Sequence, residues 1–246
     1  ATSGGISMFS KKFLDKDRSV QERWFRLKFN NRFGPKIRYL FRLRLHYKLN
    51  REFKVKDKAI NNAIDITVRE YRKIDESLFP ATKQFFNIGL FFLLAERDIQ
   101  ALKADAFSHP NETKRNIALR TLILTIYEWD MGKVTGRKMH FIYEATGLSE
   151  TSKSQVVSAL KELKKARKVI ESQFSETRHN TIAHREKEAI KQYEIISELD
   201  VMKFSEALTQ FYKTSDALLT SMIVAMLEIG SPKNLLHQAI NSKKVA

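Results

Sequence analysis

Cysteine is absent from this chain. That excludes disulfides, thiolate nucleophiles and cysteine-ligated zinc, and it fits a reducing cytosol. Glycine and proline are scarce, 8 and 4 among 246 residues. Few points exist at which a helix must stop, so long helices are expected. Long apolar runs are missing too. The longest, 88–95 and 217–227, fall short of the ~20 residues that a bilayer-crossing helix needs, so the chain reads as soluble and cytoplasmic, with no integral membrane segment. Acidic residues are the last deficit, 28 against 44 Lys and Arg, for a formal net charge of +16.

What is present is a core and a concentrated positive field. Hydrophobic residues make up 43% of the chain, enough for a sizeable interior. The charge is uneven: residues 1–58 hold 17 Lys and Arg against 5 Asp and Glu, a net +12, whereas the remaining 188 residues carry only +4. Such a field favours a polyanion, whether RNA, DNA or an anionic membrane surface.

Four segments follow from composition. Ala1–Ser7 precede Met8, carry Gly4-Gly5 and are read as a cloning scar outside the fold. Residues 8–56 form a basic N-terminal extension, 57–231 a helical bundle, and 232–246 a polar, loosely held tail. In the extension, Phe25, Leu27 and Phe29 alternate with Arg26 and Lys28. After Asn30–Pro35 the alternation resumes at Ile37, Tyr39, Phe41, Leu43, Leu45, Tyr47 and Leu49. Period two with one apolar and one basic face predicts a β-hairpin, with Asn-Asn and Gly-Pro at its turn. Arg and Leu are also good helix formers. A helix over 37–49 would shift weight towards membrane binding.

From Asp57 the period is helical. The spacing predicts helices over 57–74, from Pro80 to about His109, from Asn111 to about Gly132, and over 138–145 with Gly147 as its C-terminal cap. Ser152 and Gln155 have capping-box spacing and open a helix that runs past Ile170. Ser197–Asp200 start the last long helix, which ends at Gly230-Ser231-Pro232. The fold class is mainly α, an up-down antiparallel helical bundle with a basic N-terminal segment.

Between the last two long helices lies Thr177-Arg178-His179-Asn180-Thr181-Ile182-Ala183-His184-Arg185-Glu186. An arginine that stays charged and a histidine that titrates near neutrality are the minimal equipment for cutting RNA without a metal. This arrangement, Arg, polar residues and then His near the end of the penultimate long helix, resembles the HEPN superfamily. The form Arg-His-Asn-x-Ile-Ala-His-Arg is most similar to its bacterial abortive-infection branch. The resemblance covers about residues 60–230.

The resemblance implies a homodimer whose two motifs face each other. It implies metal-independent cleavage of single-stranded RNA to a cyclic phosphate and a 5′-hydroxyl, in a toxin or phage-defence effector that could have a cognate antitoxin. Arg178 and His184 carry over directly. His179 falls on the variable polar position, and Asn180 is a looser match.

The chemistry assigns roles. RNA supplies its own nucleophile, the 2′-hydroxyl, so the protein must move a proton and hold developing negative charge. His184 is the candidate acid/base. Arg178 is the candidate phosphate clamp, donating to nonbridging oxygens from two nitrogens. Asn180 could orient the imidazole or hold a phosphate. His179 could transfer a second proton or point to solvent. On an ideal helix, positions 178 and 184 lie about 120° apart, whereas Asn180 and His184 share one face and Arg178 and Arg185 another. A two-fold axis could bring the Arg of one chain to the His of the other, and a broken helix at Thr177 could do so within one chain.

No cofactor or metal is expected. There is no phosphate-binding glycine loop, no His-Glu-x-x-His and no zinc spacing, and His46, His109, His140 and His237 are scattered. Two other functions compete. One is a non-catalytic nucleic-acid-binding or adaptor protein that uses Arg38, Arg42, Arg44 and Arg185. The other is a peripheral membrane protein that uses the Arg/Phe/Leu-rich segment 23–49.

Overall fold

The computed structural model describes residues 17–183 and 187–242, and its regular elements are helices, with no strand among the described residues. They are α1 (Arg18–Lys73), α2 (Pro80–Ser108), α3 (Glu112–Glu128), α4 (Arg137–Thr146), α5 (Glu150–Arg178), α6 (Ala189–Ser197), α7 (Val201–Ile229) and α8 (Pro232–Ser242). A 3-10 turn at Met131–Lys133 joins α3 to α4, and a π-helical turn at His179–Ala183 follows α5.

The expected hairpin is replaced by the first half of α1, a single helix of 56 residues. The physical reason lies in the sequence. Phe25, Phe29, Phe33, Ile37, Phe41, Leu45 and Leu49 recur every four residues, so the period-two pattern contains an i, i+4 stripe that a helix also satisfies. Arg, Leu and Lys favour a helix, and no acidic residue between 23 and 51 competes for backbone donors. Pro35 sits inside the helix, where it lacks an N–H to give to residue 31. Gly34 beside it leaves room for the Arg38 guanidinium, 3.3 Å from where a β-carbon would stand.

Helix boundaries in the bundle follow their caps. The Asn111 side chain accepts from the Lys114 N–H at 3.0 Å, and Asp200 from that of Lys203 at 2.9 Å. Gly147 closes α4 at φ 64°, a left-handed conformation that favours glycine. The capping box expected at Ser152 is displaced. Ser149 is the N-cap of α5, and Ser152 lies one turn inside, donating to Glu228 of α7 at 2.5 Å. Glu228 also accepts from the Ser149 N–H at 2.7 Å, so the start of α5 is fastened to the end of α7. The described part of the expected loose tail, Pro232–Ser242, is instead α8. Its Gln238 is buried and accepts from Thr82 at 2.7 Å, and Asn234 donates to the Glu228 carbonyl at 2.9 Å.

The second half of α1 runs antiparallel to α2. Tyr71 meets Lys83 at one end, and His46 meets Ser108 at the other. The core lies between α2, α3, α5 and α7, where Phe85, Phe92, Ile99, Leu122, Ile126, Leu163, Phe204 and Phe211 are essentially inaccessible. Each such side chain stabilises the fold by about 1.5–3 kcal/mol relative to exposure. At the lower end of this core, α5 bends. Phe174 has φ −125° and ψ 19°, outside the helical region, and its buried ring packs edge-on against Phe204 at 5.1 Å. Phe107 stacks on the Phe204 ring at 6.0 Å. The bend is therefore held by aromatic packing, and it sets the direction of the last turn of α5, which ends at Arg178.

Candidate functional site

Arg178 stands where α5 gives way to the π turn. Its side chain is only 17% exposed. The guanidinium donates to Glu128 through Nε at 3.1 Å and more closely through Nη2. It lies 4.8 Å over the ring of Tyr127, and its Nη1 sits 2.8 Å from Nδ1 of His179. The His179 ring meets Tyr127 edge-on at 5.9 Å. Arg178, His179, Tyr127 and Glu128 thus form one cluster across the ends of α3 and α5.

Two arginines hold this cluster in place. Arg167 of α5 donates from Nε to the Ile126 carbonyl at 3.0 Å and from Nη2 to that of Tyr127. Those carbonyls end α3 and have no partner within the helix, so Arg167 fixes the orientation of Tyr127 and Glu128. Arg120 of α3 donates to the Thr181 carbonyl at 3.2 Å. Thr181, buried, also donates its hydroxyl to the Thr177 carbonyl at 2.5 Å. The π turn is therefore tied at its middle. Single π turns are frequent at functional sites. The break falls just after Arg178, close to the broken helix considered at Thr177.

The electrostatics are simple. The hydrogen bond from Arg178 holds the Glu128 carboxyl below its ordinary range, with the neighbouring cationic charge adding to it. Glu128 is therefore an anion at neutral pH, and in the free protein it occupies the donors that a phosphate would need. His179 is exposed, with one ring nitrogen in contact with Arg178 and the ring reachable from solvent. Asn180 is half-buried on the π turn, outside the hydrogen bonds of the cluster given above. His184 and Arg185 lie outside the described residues.

The N-terminal arginines are elsewhere. Arg38 and Arg44 are exposed on α1. Arg42 is half-buried close to Arg115, whose guanidinium is depressed first by burial and then by the Arg42 charge. Arg115 belongs to the N-terminal end of α3 and Glu128 to its C-terminal end, 13 residues apart, or about 20 Å along the axis. The structure does not join Arg42 to Arg178.

Sequence reasoning missed Tyr127, Glu128, Arg120 and Arg167. The only local signal was the polar ending Tyr127-Glu128 after the apolar run Leu122–Ile126, broken only by Thr125. It also missed a groove of about 630 Å³ between α4 and α5, lined by Lys153, Lys161, Lys164, Lys165 and Lys168 above an apolar floor that includes Met139. These lysines share one face of the helix that ends at Arg178, and Lys168 is ten residues, about 15 Å, from it. Among the described residues no group of three or more His, Asp or Glu could hold a metal ion. The cluster can bind an oxyanion through Arg178 and present an imidazole beside it. Comparison of the chain with family models, with characterised proteins and with solved structures returned no match.

Proposed function

We propose that this chain is a metal-independent endoribonuclease of the HEPN type that cuts single-stranded RNA by attack of the 2′-hydroxyl. The observation that carries the reading is the fixed guanidinium of Arg178, stacked on Tyr127 with an imidazole nitrogen of His179 at 2.8 Å, at the point where α5 opens into a π turn. Arg178 clamps the scissile phosphate after displacing Glu128. His184, with the spacing of the resembled motif, acts as general acid/base. His179 is a second proton-transfer group beside the clamp, and Asn180 orients the histidine. The lysine face of α5 tracks the RNA backbone towards Arg178. A homodimer bringing two such motifs together, a role as toxin or phage-defence effector and a cognate antitoxin belong to the same proposal.

The test is cleavage of an end-labelled single-stranded RNA in EDTA by wild type, Arg178→Ala and His184→Ala. Cleavage by the wild type alone, leaving a 2′,3′-cyclic phosphate, is expected. Loss of one positioned donor to a developing oxyanion costs about 10²–10³ in rate, so the Arg178 variant should be near background. Equal cleavage by all three proteins, or cleavage of the matching DNA, would overturn the reading. RNA retention without cleavage in all three would favour the second reading, a non-catalytic nucleic-acid-binding protein using Arg38, Arg42 and Arg44, to which the lysine groove would add.

A further inference from the structure

The first half of α1 has no place in that chemistry. The second half docks on the bundle through His46, Leu49 and Phe53, with His46 Nδ1 3.2 Å from Ser108 Oγ and Nε2 3.8 Å from Asp105. Since α2 ends at Ser108 and the two helices are antiparallel, residues 18–45 run on beyond it. That is 28 residues, or about 42 Å of helix.

Exposed apolar side chains occur all round this arm, Phe25, Leu27, Tyr39 and Leu43 among them at 51, 55, 51 and 45%, and the densest set faces away from the bundle. Phe29, Phe33, Ile37, Leu40, Phe41 and Tyr47 are 53, 42, 50, 62, 66 and 73% exposed. At about 100° per residue they fall within an arc of about 120°, and its centre lies roughly opposite the direction of His46, Leu49 and Phe53. Their own bundle cannot cover them. An apolar stripe of this length in water calls for a partner surface.

The charge identifies that partner. Residues 23–51 contain ten Lys and Arg and no Asp or Glu. An anionic partner is required, and one that also buries aliphatic side chains. Bases can stack on Phe and Tyr, but a polynucleotide offers little to Leu27, Ile37, Leu40 and Leu43. The boundary between acidic headgroups and acyl chains offers both. Arg26 and Arg44 lie at the centre of the stripe and Arg23 and Lys36 at its edges, and their long side chains can extend out of it to reach headgroups. No helix of the described residues is long and apolar enough to cross a membrane, so the arm would lie in the interface plane.

We infer that residues 18–45 form an amphipathic arm that seats the protein on an anionic lipid surface, with Phe29, Phe33, Ile37, Leu40 and Phe41 in the acyl boundary and the flanking cations on the headgroups. The inference is independent of the ribonuclease reading and stands whether or not RNA is cut.

The test is co-sedimentation of the full chain with vesicles of phosphatidylcholine alone and with about 30% phosphatidylglycerol. Binding to the acidic vesicles is expected, weaker by about tenfold or more on neutral ones, and reduced but not abolished at about 0.5 M salt. The variant Ile37→Gln/Leu40→Gln/Phe41→Gln keeps every charge and should lose about tenfold or more in vesicle affinity. Its thermal unfolding should match that of the wild type, because the three positions face solvent. No binding to acidic vesicles overturns the inference. So does vesicle binding that the triple variant retains, which would make the arm a purely electrostatic contact of the kind RNA also satisfies. Wild-type dimers that the triple variant converts to monomers, with no change in vesicle binding, would assign the stripe to a second copy and also overturn it.

Discussion

Arg178→Ala should leave the protein folded, and the structure says by how much it should weaken it. The guanidinium makes three kinds of contact, each with a partner that water can replace. The ion pair to Glu128, whose side chain is 57% exposed, is worth about 0.2–1 kcal/mol. Stacking over Tyr127 adds about 0.5–1 kcal/mol, and the contact with His179 has a net value of about 0.5–1.5 kcal/mol. These share one group and are not additive, so a loss of about 1–2 kcal/mol is expected. For a domain of this size that is a drop of about 2–8 °C in melting temperature. Thermal unfolding followed by circular dichroism measures it. A double-mutant cycle with Glu128→Gln should give a coupling of about 0.2–1 kcal/mol. Because Glu128 titrates below its ordinary value of 4.5 in the folded state, the coupling should be fully present above that pH and vanish as the pH falls through the lowered value. A loss beyond about 4 kcal/mol would refute this accounting. It would make Arg178 a structural residue, and loss of RNA cleavage in the variant could no longer be assigned to chemistry.

Two further outcomes follow from the core. Glu96 is buried, accepting from Gln100 at 2.6 Å and from Ser215 at 2.5 Å, and burial raises its pKa despite both hydrogen bonds. The folded state therefore holds its proton to higher pH than the unfolded state, and stability should fall as pH rises above about 4.5. Glu96→Gln should flatten that decline, so urea midpoints at pH 5 and pH 8 should lie closer together than in the wild type. An unchanged spacing would show that Glu96 is not the titrating group. Phe204→Ala removes a side chain of 0% exposure that braces both Phe107 and Phe174, and should cost about 3–5 kcal/mol in chemical denaturation. A loss under about 1 kcal/mol would show that the bend in α5 does not depend on it.

Much of the bundle was legible because its signals are local. Asn111, Asp200, Gly147 and Pro80 each mark a terminus by the chemistry of their own side chain or backbone. The N-terminal half of α1 was misread because a run at every second residue also contains a stripe at every fourth, which fits a helix equally well. With few neighbours to bury either face, pattern alone could not choose. Ser152 was mistaken for a cap because its actual partner, Glu228, is 76 residues away. The Arg178 motif was visible, but Glu128, Arg167 and Arg120 were not. Their contribution comes from crossings of α3 with α5 and the π turn, which no spacing in one segment encodes.

The length of α1 has a mechanical meaning. One uninterrupted helix of 56 residues, about 84 Å, joins the exposed arm to the face that packs on α2. A torque or displacement applied at Phe29 would reach Leu49 as a rotation of the whole rod, since no loop intervenes to absorb it. The weakest point of that rod is Pro35, where one rung of the backbone ladder is missing. Flexure there would set the range of angles through which the helical bundle can swing relative to the arm.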